Sequence, residues 1–65
     1  MQITVNGENK IITEMSLLQF LESLGINPRG VAVELNTDIV SRTAYETTIL
    51  RDGDRMEIVH FVGGG

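Results

Sequence analysis

Met15-Ser16-Leu17-Leu18-Gln19-Phe20-Leu21-Glu22-Ser23-Leu24-Gly25 is the stretch of this 65-residue chain that carries a helical period. Leu17, Phe20, Leu21 and Leu24 recur at spacings of three and four, which sets them on one face of a helix. Ser16 and Gln19 match the S-x-x-Q capping box, in which hydroxyl and side-chain amide satisfy two backbone N–H groups that a helix start leaves orphaned. Met15 and Phe20 occupy the two positions of a hydrophobic staple. Gly25 suits the residue just past the helix end, and Pro28 lacks the N–H to continue the ladder. Such a helix is about 13 Å long at 1.5 Å per residue. It is too short to be stable alone and must lie on a sheet.

The flanks supply the strands. Ile3 and Val5 alternate with Gln2, Thr4 and Asn6, the period of a half-buried strand over Gln2–Val5. Asn6-Gly7 then gives a hairpin turn, read as a turn and nothing more, because type I′ turns need positive φ at both central residues. A second strand is expected over Lys10–Thr13. Beyond the helix, Val31, Val33 and Leu35 alternate with Ala32 and Glu34, a third strand. Asn36-Thr37-Asp38 reads as a turn and Ile39-Val40 as a short fourth strand. Ser41–Leu50 has no clean period and suggests an irregular crossing with one helical turn near Tyr45. Asp52-Gly53 is a further turn, and Arg55–Val62 is the last and most apolar strand. One helix on one mixed sheet of four to five strands is an α+β roll. If the last strand lies beside the first, the two run parallel and both are central; the order is not fixed by sequence.

Composition narrows the function. The size permits a single small domain with a thin core, without room for an enzyme-sized pocket of ~300–1,000 Å³ walled by its own side chains. Cysteine is absent, which excludes thiolate nucleophiles, disulfides and Cys-based zinc sites. Small secreted domains lean on disulfides, so a chain without them fits a reducing cytoplasm. Polar residues interrupt the first apolar positions, unlike a signal peptide, and no apolar run approaches the ~20 residues of a membrane span. The net charge of −4 disfavours nucleic acid and anionic lipid and suits a basic protein partner.

Conventional active-site searches fail. His60 is the single histidine and reads as a solvated strand residue or a partner contact. Asp52-Gly53-Asp54 lacks the additional oxygen ligands of a calcium loop and reads as a polar turn. The glutamates are scattered rather than paired for acid–base work. No catalytic or metal-ligating residue is therefore assigned.

The end of the sequence is different. Residues 1–62 read as the folded domain and 63–65 as a flexible tail, Gly63-Gly64-Gly65. Glycine lacks a Cβ, so such a tail can thread where any side chain would collide. From Val62 it reaches at most about 14 Å at ~3.3–3.6 Å per residue. A terminal carboxylate is ionised at neutral pH and is a competent nucleophile toward an activated phosphate. Attack on the α-phosphate of ATP gives an acyl-adenylate, from which sulfur or nitrogen can displace AMP. A frayed tail or an expression scar would end in the same residues. Met56 and Ile58 suit one face of the last strand; Val59 and Phe61 fall on the other, either as core filler for a central strand or as an apolar surface for a partner.

Asn6-Gly7, Val31–Asn36 (VAVELN), Ile39-Val40, Leu50–Asp54 (LRDGD) and Val59–Gly65 (VHFVGGG), in this order, resemble the ThiS family of sulfur carriers. The resemblance spans essentially the whole chain. It implies a ubiquitin-like β-grasp fold and a carrier, not an enzyme, of thiamine biosynthesis. It implies that a ThiF-like, E1-like enzyme using ATP and magnesium adenylates Gly65, with Gly64 and Gly63 as the tail. Sulfur derived from a cysteine desulfurase would make a thiocarboxylate, and a ThiG-like thiazole synthase would accept it. No cofactor would be bound by the carrier itself. Val59, Phe61 and Val62 are the partner-binding candidates. A molybdenum-cofactor carrier, a ubiquitin-like protein conjugator and an interaction module with an inert tail are the alternatives.

Overall fold

The computed structural model describes residues 1–62. The expected Gly63–Gly65 tail lies outside them. Strands β1 (Gln2–Val5), β2 (Glu8–Ile11), β3 (Val31–Leu35), β4 (Asp38–Val40) and β5 (Arg55–His60) form one sheet in the order β2-β1-β5-β3-β4. The last strand is central, parallel to β1 and antiparallel to β3. The sheet is therefore mixed, with one helix, α1 (Leu17–Ser23), against one face.

Helix α1 starts and stops where its local chemistry dictates. The Gln19 N–H donates to Ser16 Oγ at 3.1 Å, and the Ser16 N–H donates to Gln19 Oε1 at 2.9 Å. At the other end Gly25 takes φ 71°, the Gly25 N–H donates to Glu22 C=O and the Ile26 N–H to Leu21 C=O, each at 3.0 Å. These two bonds are the Schellman arrangement that left-handed glycine makes possible. Leu17, Phe20 and Leu21 bury their side chains against Ile3, Val5, Val31, Val33, Met56 and Ile58 of the sheet. Leu24, expected on that face, is exposed, because it sits at the cap where the chain turns away. Met56 fills the core, and Met1 and Met15 pack at its edge.

The 3₁₀ turn Arg42–Ala44 delivers Tyr45, which is buried with Leu50 and closes the core beside the helix. Two strand boundaries differ from expectation. β2 covers Glu8–Ile11 rather than Lys10–Thr13: the two-residue turn pairs Val5 with Glu8 immediately, so the strand starts where the turn ends. β5 ends at His60 rather than Val62, because β3 begins at Val31 and offers His60 its last rung.

Candidate functional site

β5 has two unlike faces. Met56 and Ile58 point into the core, while Arg55, Glu57 and Val59 alternate onto the face that no helix covers. Beyond the strand, the Phe61 N–H donates to Gly30 C=O at 2.9 Å, which extends the alternation by one residue. Val59 is 60% exposed, Phe61 63% and Val62 97%. These side chains are not core filler; they form an apolar surface that leads off the central strand toward residues 63–65. Gly63, Gly64 and Gly65 themselves lie outside the described residues.

The open face also holds residues that sequence reasoning did not single out. Register sets Ala32 beside Val59, Glu34 beside Glu57, and Ile39 of β4 beside Glu34. The signal was present in the alternation of β3, but it needed the strand order to become a surface.

Asn6 does more than turn the chain. Its Nδ2 donates to Ile58 C=O at 3.1 Å and its Oδ1 accepts from the Ile58 N–H at 2.7 Å. The side-chain amide thus continues the short β1–β5 ladder after the backbone has left it. The positive φ of 48° is what aims it there.

The Asp52-Gly53-Asp54 turn is a structural knot, not a cation loop. Asp54 is buried, accepting from the Arg51 N–H at 2.8 Å through Oδ2 and from Asn36 Nδ2 at 2.9 Å through Oδ1. Asp52 Oδ1 accepts from the Gln2 N–H at 2.7 Å. Among the described residues no three His, Asp or Glu side chains gather as metal ligands. His60 is exposed and alternates onto the opposite side of β5 from Val59 and Phe61.

A groove of ≈ 690 Å³ lies at the opposite pole from the exit of β5, lined by Met1, Glu14, Ile49, Leu50, Arg51 and Asp52. Its size falls in the range the sequence argued against, yet it is an open depression rather than an enclosed pocket. It brings together no nucleophile and base. No helix among the described residues is long and apolar enough to cross a membrane.

The described residues thus leave one sheet face uncovered, with a central strand that runs out beside it toward a glycine-rich segment of the sequence. The family model described as "ThiS family" matches residues 3–65. The chain belongs to the ThiS family. A crystal structure of a thiamine biosynthesis protein, ThiS, from Geobacter metallireducens superposes with a TM-score of 0.85 at 33% identity, covering 100% of both chains. The fold is accordingly the ubiquitin-like β-grasp. The sulfur carrier protein ThiS of Thermus thermophilus is 35% identical over 97% of this chain and 98% of its own. A thiazole synthase of Paramagnetospirillum magneticum is 41% identical over 100% of this chain and 20% of its own length. The chain thus spans about a fifth of the thiazole synthases that it matches.

Proposed function

We propose that the protein is a sulfur carrier of thiamine biosynthesis and that Gly65 bears the cargo. A ThiF-like enzyme, using ATP and magnesium, adenylates the Gly65 carboxylate: an oxygen of the carboxylate attacks the α-phosphorus and pyrophosphate leaves. Persulfide sulfur from a cysteine desulfurase displaces AMP to give an acyl disulfide, and a second thiol on the partner cleaves the S–S bond, forms a disulfide and leaves the thiocarboxylate. A ThiG-like thiazole synthase takes that sulfur. The carrier is a co-substrate; the catalytic groups belong to its partners.

The observation that carries this reading is the family match running through residue 65, joined to the Gly63-Gly64-Gly65 sequence that follows the apolar exit of β5. Proteins named thiazole synthase that contain a segment similar to this whole chain support an acceptor of that class. Val59, Phe61 and Val62 are assigned to the docking of these partners. Glycine at 63–65 lets the reactive group enter a narrow site without a side-chain collision. The absence of cysteine leaves no thiol on the carrier to compete for the activated carbonyl. A reducing cytoplasm is the compartment in which this chemistry fits.

Intact mass tests the reading. After incubation with a ThiF-type enzyme, ATP and a sulfur source, the expected change is one oxygen replaced by one sulfur. Deleting Gly65 is expected to abolish the change and leave the melting temperature unaltered. A deletion variant that is still adenylated, or a full chain that never gains sulfur while a known ThiS does, overturns it.

A further inference from the structure

Asn6 is the asparagine of this chain that glycine follows. An asparagine amide is open to attack by the backbone nitrogen of the next residue, at a rate set by how well that nitrogen is shielded. Pro28 after Asn27 has no N–H to lose. The β-branched Thr37 crowds the nitrogen after Asn36, and Asn9-Lys10 lies within β2. Gly7 puts no side chain in the way. Asn6 and Gly7 are both exposed, at φ 48° and 83° in the turn that pairs Val5 with Glu8. Its chain neighbours aside, no heavy atom lies within 4 Å of the place a Cβ on Gly7 would take.

The fold opposes the attack at one point. Asn6 Nδ2 donates to Ile58 C=O at 3.1 Å, and Asn6 Oδ1 accepts from the Ile58 N–H at 2.7 Å. Bringing Cγ onto the Gly7 nitrogen means turning the amide off both Ile58 groups, and the same movement bares the Ile58 N–H to water. We propose that Asn6-Gly7 is a spontaneous modification site that β5 keeps locked, and that its conversion permanently unlocks the outer half of β5. The Gly7 nitrogen gives its proton to solvent base and bonds to Asn6 Cγ. The Cγ–Nδ2 bond breaks, and Nδ2 takes up a proton and leaves as ammonia. Water then opens the resulting succinimide. Cleavage of the new Cγ–N bond gives aspartate; cleavage of the original backbone C–N bond gives isoaspartate, with the chain running through Cγ. Neither product remakes the clamp. Aspartate turns an oxygen toward Ile58 C=O where an N–H stood. Isoaspartate adds a methylene to the backbone and takes one from the side chain, so the turn and the reach to Ile58 are both lost. Backbone pairing of β1 with β5 ends at the Asn6 N–H on Met56 C=O. Beyond it, β3 alone would hold the strand.

Nothing in this lock depends on what the chain carries, so its test needs no partner. The full chain, folded and in denaturing urea, is aged in mildly alkaline buffer beside a peptide of residues 3–9. Two readouts follow conversion: intact mass, with one NH replaced by one O, and labelling of isoaspartyl carboxylates by an isoaspartyl methyltransferase. Peptide mapping places the change. The folded chain is expected to convert at least about tenfold more slowly than the peptide, the factor that two hydrogen bonds of ordinary net worth supply. Because one opening frees both groups, that factor should match the hydrogen-exchange protection of the Ile58 amide. The two rates should also rise in step as urea is added below the unfolding transition. The urea-unfolded chain should convert like the peptide, and Asn6→Asp, which has no Nδ2, should gain no mass. Aged protein should lose protection at Ile58 and keep it at Thr4 and Arg55. Conversion as fast in the folded chain as in the peptide overturns the proposal, as does a conversion rate that stays fixed while Ile58 exchange accelerates. A change mapped to another asparagine, or a converted chain that keeps Ile58 protected, overturns it as well.

Discussion

The two ends of β5 are held very differently. At its start, every neighbour contributes. The Thr4 N–H donates to Asp54 C=O at 2.9 Å, the Asn36 N–H to Arg55 C=O at 2.8 Å, and the Arg55 N–H to Asn36 Oδ1 at 3.0 Å. The Asp54 carboxylate gathers two further donors from Arg51 and Asn36. At its exit, β1 has gone and β3 alone remains, giving Phe61 its bond to Gly30. Between them, at Ile58, one side-chain amide from Asn6 stands in for the missing strand. The difference shows how a thin domain can leave one end of its central strand unencumbered. It fixes the strand by its root, so the exit is free to serve a partner without loss of the fold.

If the root carries the stability, damage there should cost most. Asp54→Ala leaves the Arg51 N–H and the Asn36 amide, each in a part-buried hydrogen bond, without their acceptors. Each such loss costs about 1–3 kcal/mol. A chain of this length is stable by about 3–10 kcal/mol at ~0.05–0.15 kcal/mol per residue, so the variant should lose a large share of it. Urea unfolding checks this. A midpoint equal to wild type would break the contrast between the two ends.

The middle of the strand should give an intermediate effect. Asn6→Asp tolerates the positive φ of the turn and keeps an acceptor for the Ile58 N–H. It loses the donor to Ile58 C=O and turns a carboxylate oxygen toward that carbonyl. About 1 kcal/mol of stability should go. Amide hydrogen exchange should lose protection at Ile58 while Thr4 and Arg55 keep theirs. Equal loss at all three would mean that β5 opens as one unit and the gradient does not exist.

How far this was legible in the sequence depends on the range of each interaction. The helix could be read almost completely, because its cap and its Schellman end involve residues within six of each other. The Asn6-Gly7 turn could be read too, but the pairing of Asn6 with Ile58 spans 52 residues and has no local signature. Asp54 looked like half of a polar turn for the same reason: Asn36 comes near it only once β3 lies beside β5. β2 starts two residues earlier than expected because the turn alone aligns this edge strand, on which Ile11 sits exposed and marks no buried face. At the site, the alternation of Val59 and Phe61 was visible, and whether it meant core or surface awaited the side of the sheet on which α1 packs. Glu34 and Glu57 were scattered acids until the β3–β5 register set them face to face.

The exit should yield the smallest change in stability and a clear change in docking. Phe61 keeps its backbone bond to Gly30 whatever its side chain, and most of its ring already faces water. Phe61→Ser should therefore shift folding stability by no more than about 0.5 kcal/mol, the usual range for surface positions. The same ring is the largest apolar group on the open face, two residues before Gly63 in the sequence, and aromatic anchors at the centre of an interface dominate its energy. The KM of the carrier for a ThiF-type enzyme should rise several-fold in that variant, with kcat retained because the tail is untouched. Asp54→Ala should behave in the opposite way: less stable in urea, yet normal in KM at temperatures where it is still folded. If both variants moved stability and KM together, root and exit would be one cooperative body, and the contrast between the two ends of β5 would not exist.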